Sequence, residues 1–466
     1  MPPRSKPFHA LLAVFFSCAS CIAAPTTKAS FFRNHCLFIK NGYLKSESAS
    51  PSQILAEYER QSPGKPLVIH FHGGLVSEDT AKKEAVDLYH SCYGEQSYPI
   101  YFVWNADFFT ELGNLLESRY HNAAFSQGHI STALFLDSIY QRMKAGGVDT
   151  SKIKGDAFDM VQTFKKLVSG DPATQKAAED GARDDILAAG HTWSDWTKLE
   201  TWQKAKDRAQ RRVTNYFSPY VEGIARYHDS KSVSWNGDFL EWVSYNLGGR
   251  DIWSRMKQDT ADSFTVRNGI PGAGLSFLKA LSRIPDPPRI VLVGHSTGCI
   301  YILNFLRAAK AIAPTAKFDV VFLAPANTYQ DTARFLAEGG DSIRNFRMFG
   351  IRDVDERKDH MLWELNPQLE GLYPGSLLCY VSRAVESRHN MPILGLERDF
   401  PTPANGTDRN ANLIVRRYLL NDPRRIIWSP TLGADGSCCT CVSHGDFCGD
   451  AKTLASLRYL VASPNW

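Results

Sequence analysis

The stretch that decides the fold is PRIVLVGHSTGCIYIL, residues 288–303. Four apolar residues, Ile290 to Val293, run into Gly294-His295-Ser296-Thr297-Gly298, and a second apolar run follows without a break. Four β-branched or aliphatic residues bounded by glycine fit a buried strand, and Cys299–Ala311 has the spacing of a helix. A strand that passes into a helix within five residues needs a very tight turn. Glycines flanking the serine remove the Cβ atoms that would clash there, and the serine hydroxyl is left standing off the end of the sheet.

Working outward, further apolar runs predict buried strands at Leu67–Phe71, Ile100–Trp104, Val320–Leu323, Phe346–Ile351 and Leu377–Val381. Helical patterns lie between most of them, including Lys452–Val461, where Leu454, Leu457, Leu460 and Val461 share a face. Continuous apolar strands alternating with helices predict an α/β fold with a mostly parallel central sheet flanked by helices. The alternation lapses between Ala106 and Pro285, where no strand stands out. That length is too great for a loop and predicts a large helical insertion before the strand at 290, with long helical patterns over 195–228. Six of the ten tryptophans (193, 196, 202, 235, 242 and 253) fall in it. The chain then divides into 1–24, 25–105, the insertion 106–285, and 286–466.

A second glycine turn follows the strand at 67–71, in PLVIHFHGGLVSE, residues 66–78. Backbone N–H groups of Gly73 and Gly74, with that of Thr297, suit an oxyanion raised at Ser296. His70 and His72 also form an H-x-H pair that could ligate a metal. With GHSTG, HGG and a late histidine together, the chain resembles the α/β-hydrolase superfamily from about residue 60 onward, the insertion excepted. In that fold the triad runs serine, acid, histidine, and the insertion takes the place of a cap or lid.

The resemblance implies an acid just past a later strand, where FRMFGIRDVDERKDH, residues 346–360, offers Asp353, Asp355, Glu356 and Asp359. Asp353, the first after the strand, is the expected acid, with Asp355 second and the others read as charges on a solvated loop. The base is expected before the closing helix, which places His444 ahead of His389. The expected reaction is hydrolysis of a carboxylic ester through an acyl-enzyme on Ser296, in the manner of a carboxylesterase or lipase. A peptidase, thioesterase or acyltransferase would use the same groups, and a binding module would use none of them. No cofactor and no metal is implied. The substrate class is a small ester or lipid, and an aromatic cap would also suit contact with a lipid surface.

Composition fits this reading. Hydrophobic residues make up 43% and charged residues 22% of 466, as in ordinary globular proteins. Arg4 and Lys6, an apolar run from Ala10 to Ala24 and a polar sequel have the layout of a signal peptide over 1–24, which predicts a secreted or periplasmic protein. Lipoprotein processing at Cys18 or Cys21 is disfavoured because neither has leucine three residues upstream. Removing 1–24 lowers the formal charge from +4 to +2, and no basic stripe suggests nucleic acid. Asn405-Gly406-Thr407 is a glycosylation acceptor in a eukaryotic secretory pathway. Eight cysteines follow residue 24, four of them in GSCCTCVSHGDFC, residues 436–448, around His444. Their spacing does not match the paired zinc pattern, so disulfides holding the histidine loop are the expectation.

Overall fold

The computed structural model describes residues 28–74, 76–104, 106, 229–232, 237–238, 241–242, 244–245, 248–359, 373, 375–401 and 408–466. The segment read as a signal peptide, most of the expected cap and Asn405 lie outside the described residues.

Among the described residues ten strands form: β1 (Cys36–Lys40), β2 (Tyr43–Leu44), β3 (Leu67–Phe71), β4 (Tyr98–Trp104), β5 (Val266–Arg267), β6 (Ile270–Pro271), β7 (Ile290–His295), β8 (Phe318–Leu323), β9 (Ile343–Ile351) and β10 (Ile426–Ser429). Eight of them make one sheet in the order β10-β9-β8-β7-β3-β4-β1-β2. Every pairing in it is parallel except the β1–β2 hairpin at the edge. β3, β4, β7 and β8 are buried along their whole length, which is why they read as unbroken apolar runs: a parallel sheet is covered on both faces.

The longer helices are α1 (Lys28–His35), α2 (Pro51–Gln61), α3 (Glu78–Leu88), α4 (Gly249–Asp262), α5 (Ala273–Leu281), α6 (Gly298–Ile312), α7 (Tyr329–Gly339), α8 (Asp408–Leu420) and α9 (Ala451–Ala462). α6 packs on β7 and β3, and Gly298 to Leu303 is buried on all sides. Helix ends are set by local chemistry: Ser50 and Gln53 form a reciprocal cap on α2, and the Asp450 side chain accepts from the Thr453 N–H to start α9. No helix among the described residues is long and apolar enough to cross a membrane.

Several expectations need correction. Leu377–Val381 is not a strand: Leu377–Tyr380 is a helical turn that continues into a wider turn to Val385. Ser376 accepts from the Cys379 N–H and starts it, and a short apolar run has no period by which to tell strand from buried helix. β1 and β10 were not anticipated. β10 has only four residues, and only two of them are buried. Within the expected insertion the small β5–β6 hairpin forms, and α4 and α5 pack against α6.

Candidate active site

The carboxyl ends of five neighbouring strands bring the candidate residues to one edge of the sheet. His72–Gly74 follow β3, Ser296 follows β7, Asn327 follows β8, Asp353–Asp359 follow β9, and His444 lies between β10 and α9. Loops at the carboxyl ends of parallel strands are where open α/β sheets bind ligands.

The turn at Ser296 is as tight as its glycines imply. Ser296 has φ +53°, the left-handed region that a non-glycine residue rarely occupies. A Cβ on Gly298 would lie 2.1 Å from the Phe71 carbonyl oxygen, and one on Gly294 would lie 2.8 Å from the Gly298 backbone. The strained residue is held by its neighbours: the Ser296 N–H donates to Leu323 O at 2.8 Å, and Ser296 O accepts from the Ala326 N–H at 3.2 Å.

The Gly73–Gly74 turn lies directly against it. A Cβ at Gly73 would stand 3.4 Å from Cβ of Ser296, and one at Gly74 would stand 2.6 Å from Oγ1 of Thr297. Among the described residues, the N–H groups of Gly73, Gly74 and Thr297 donate no hydrogen bond, so three unspent donors lie in the two turns that pack together here. His72 secures this turn. Its Nε2 accepts from the Trp104 N–H at 3.1 Å, which leaves Nδ1 protonated to donate to Gly73 O at 2.8 Å. Both nitrogens are thus committed, and His72 is not a metal ligand.

His444 comes to the same turn. Its carbonyl oxygen accepts from His295 Nε2 at 2.9 Å, and the two rings lie 5.0 Å apart. Burial, and then the neighbouring His295, hold the His444 imidazole well below its ordinary pKa, so it is neutral and carries a free lone pair. The Ser296 hydroxyl and both His444 nitrogens are buried without a hydrogen-bond partner among the described residues.

The acids are distributed differently from the sequence expectation. The Asp353 carboxylate binds Arg357 at 2.7 Å and lies 3.6 Å from Arg398; it makes no hydrogen bond to the His444 ring. Asp359 is buried and accepts from the His444 backbone N–H at 2.7 Å. Glu356 is also buried, and burial pushes it up to about 8. Neither is a charge on a solvated loop, because the segment turns inward just after β9. His389 is instead engaged elsewhere: its Nδ1 donates to Arg383 O at 3.1 Å, and its Nε2 lies 3.3 Å from the Asp229 carboxylate.

Two further residues stand at this edge. Asn327 is buried with neither amide atom hydrogen-bonded, and it lines a cleft with Ile300, Thr328 and Met391. No sequence motif marks it. Asp359 was one carboxylate among four, and only the path of the loop separates it from the others.

All eight described cysteines are free thiols. The His444 loop is tied down by hydrogen bonds: Thr431 and Cys439 exchange backbone bonds at 2.8 and 2.9 Å, Cys438 N–H donates to Ser456 Oγ at 2.9 Å, and Val442 and Ser443 N–H donate to Asp446 at 2.9 Å. Two groups of metal-ligating side chains occur here, His70–Glu84–Cys448 and Cys439–Cys441–Asp450.

Comparison with known proteins returned no relative: no protein-family model, no curated protein and no solved structure matches the chain.

Proposed function

We propose that the chain is a serine hydrolase of carboxylic esters, with Ser296 as nucleophile, His444 as base and Asp359, rather than Asp353, as the acid. One observation carries the reading. A serine in strained left-handed backbone lies against a glycine turn with free N–H groups, and a buried neutral histidine loop is fastened to the adjacent residue. Strain and unpaired buried polar atoms concentrate where function requires them.

In the cycle, His444 takes the proton of Ser296 Oγ as the oxygen attacks the ester carbonyl. The N–H groups of Gly73, Gly74 and Thr297 hold the resulting oxyanion. Collapse expels the alcohol, which takes the proton back from His444. Water then attacks the acyl-enzyme with the same base, and the carboxylic acid leaves. Asp359 is taken as the acid because it already holds the main chain of His444; the role requires the ring to turn toward the same carboxylate. The Ser296–His444 hydrogen bond closes in the substrate complex, as such bonds commonly do. The six tryptophans of the 106–285 segment suit an apolar acyl group or lipid as substrate.

The test is labelling with a fluorophosphonate and mapping of the modified peptide. Label on Ser296, lost in Ser296→Ala and His444→Ala, is the expected result. If the folded wild type takes no label with or without detergent, the site is not a hydrolase.

A further inference from the structure

The H-x-H motif and the last cysteine of the His444 loop meet in a cluster that the hydrolytic cycle does not use. His70 stands in β3, Glu84 in α3 and Cys448 just before α9. His70 Nε2 lies 3.3 Å from Glu84 Oε1, and Cys448 Sγ lies 3.0 Å from the same oxygen. One ligand atom from each residue falls within 4.8 Å of the other two.

We propose that His70, Glu84 and Cys448 form a zinc site that clamps the His444 loop onto the sheet. The chemistry of the set fits: imidazole, carboxylate and thiolate are the three ligand types zinc takes. The nitrogen–oxygen spacing of 3.3 Å fits as well, and the oxygen–sulfur spacing of 3.0 Å has to open by about half an ångström. Bonds of about 2.0 Å to nitrogen and oxygen and about 2.3 Å to sulfur, at tetrahedral angles, put ligand atoms roughly 3.3 to 3.5 Å apart.

A second observation points to a ligand. His70 is only 2% exposed, and its Nε2 is turned to Glu84 Oε1 at 3.3 Å with no other partner among the described residues. Its other nitrogen, Nδ1, is held by Tyr93 Oη at 3.3 Å, the outer partner that a metal-bound histidine ordinarily has. The Glu84 side chain is 16% exposed, which gives an ion a way in and leaves the fourth position to water. Binding displaces the thiol proton of Cys448 to solvent.

The other cluster is less suited. Asp450 already accepts from Thr440 and Thr453 at the start of α9, and both Cys439 and Cys441 sulfurs share the Thr453 hydroxyl at 3.1 and 3.3 Å. Its donors are spent on the helix cap. The clamp would act four residues beyond His444 and tie it to β3 and α3, which are distant in sequence. It needs no hydrolytic activity to be real, so it stands or falls separately from the proposed function.

The experiment uses the full chain, reduced and stripped with a chelator, then titrated with zinc chloride in competition with a chromophoric chelator. Bound metal is counted by elemental mass spectrometry, and melting is followed with and without zinc. One zinc per chain is expected, with a higher melting temperature. Cys448→Ser and Glu84→Gln should each weaken binding by more than about a hundredfold, since losing outer partners alone costs ten- to a hundredfold. The double variant Cys439→Ser/Cys441→Ser should bind as the wild type does, and so should Ser296→Ala. The proposal is overturned if folded, reduced wild type binds no zinc. It is equally overturned if Cys448→Ser keeps the affinity, or if the Cys439/Cys441 variant loses it. Should Glu84→Gln fail to fold, Cys448→Ser on its partly exposed residue decides the matter.

Discussion

Two buried polar regions of the molecule are built on opposite terms. Around Arg383, whose side chain is fully buried, the guanidinium donates to Glu241 at 2.5 Å, Asp229 at 2.7 Å, Asp238 at 2.8 Å, Asn390 at 2.9 Å and Ser232 at 3.0 Å. Tyr373 adds a bond to Glu241 at 2.5 Å. At the strand edge, Ser296 Oγ, Thr297 Oγ1, the Asn327 amide and both His444 nitrogens are buried with no partner among the described residues. The first region has spent its hydrogen-bonding capacity on itself, as structural polar groups do. The second has kept it in reserve, which lowers stability and leaves donors and acceptors for a ligand. His389 and His444, the two histidines that compete for the role of base, fall on opposite sides of this divide.

The largest expected effect separates activity from stability. Ser296→Ala and His444→Ala should lower ester hydrolysis and fluorophosphonate labelling on the order of 10⁴-fold or more, and Asp359→Asn about ten-thousandfold. Ser296→Ala should leave the urea midpoint unchanged or slightly higher, because it removes a buried hydroxyl that has no partner. A marked loss of stability would show that the hydroxyl is structural after all.

Arg383→Met tests the opposite region. It leaves Asp238 and Glu241, both fully buried, without their counter-charge, and removing one member of a buried ionic set costs about 3 to 5 kcal/mol. Denaturant unfolding should show that loss. A change under about 1 kcal/mol would mean that the cluster hydrates or rearranges, and the contrast between the regions would collapse.

How far the sequence carried the reading depends on the distance over which each signal acts. The turn at Ser296 is local: strand, glycines and helix all lie within sixteen residues, and the burial of β7 and α6 agrees with the pattern. The glycine turn after β3 was legible for the same reason, and its packing against Ser296 and Thr297 follows from β3 and β7 being neighbours. Chain position favoured Asp353 and read Asp359 as a solvated charge, since both follow β9 and only the inward turn of the chain, which buries Asp359, separates them. Leu377–Val381 was misread because Ser376, a single side chain, starts a helical turn there. β10 was missed because edge burial alternates over only four residues. The joining of Cys448 to Glu84 across 364 residues of chain, with His70 beside them, is a product of topology alone.

Acidification should act on the strand edge through its buried histidines. Burial holds His35, His295 and His444 below their ordinary pKa. Their unfolded forms take up protons near pH 6.5, while the native forms resist. The unfolded state then binds more protons, so stability is full above about pH 6.5 and declines as pH falls through the window below it. Urea midpoints at pH 7.5 and pH 5 measure this. The acid limb of kcat/KM, set by protonation of the free base, should likewise lie below pH 6.5. A limb above that value would exclude a buried, neutral His444 as the base.

The smallest effect is expected at Asp353. Its main partner, Arg357, is four residues away on the same helical turn, and both side chains are partly exposed, at 27% and 33%. Such pairs contribute about 0.5 kcal/mol, and Arg398 at 3.6 Å retains other acidic neighbours, Asp399 among them. Asp353→Asn should therefore shift the urea midpoint very little and change the labelling rate by less than about threefold, while Asp359→Asn nearly abolishes labelling. The paired assay is decisive because both aspartates follow the same strand and both changes remove one charge. If Asp353→Asn silences the enzyme and Asp359→Asn does not, the acid is the one favoured by chain position. Asp359 would then hold only the His444 main chain, and the loop would have to move before the base could work.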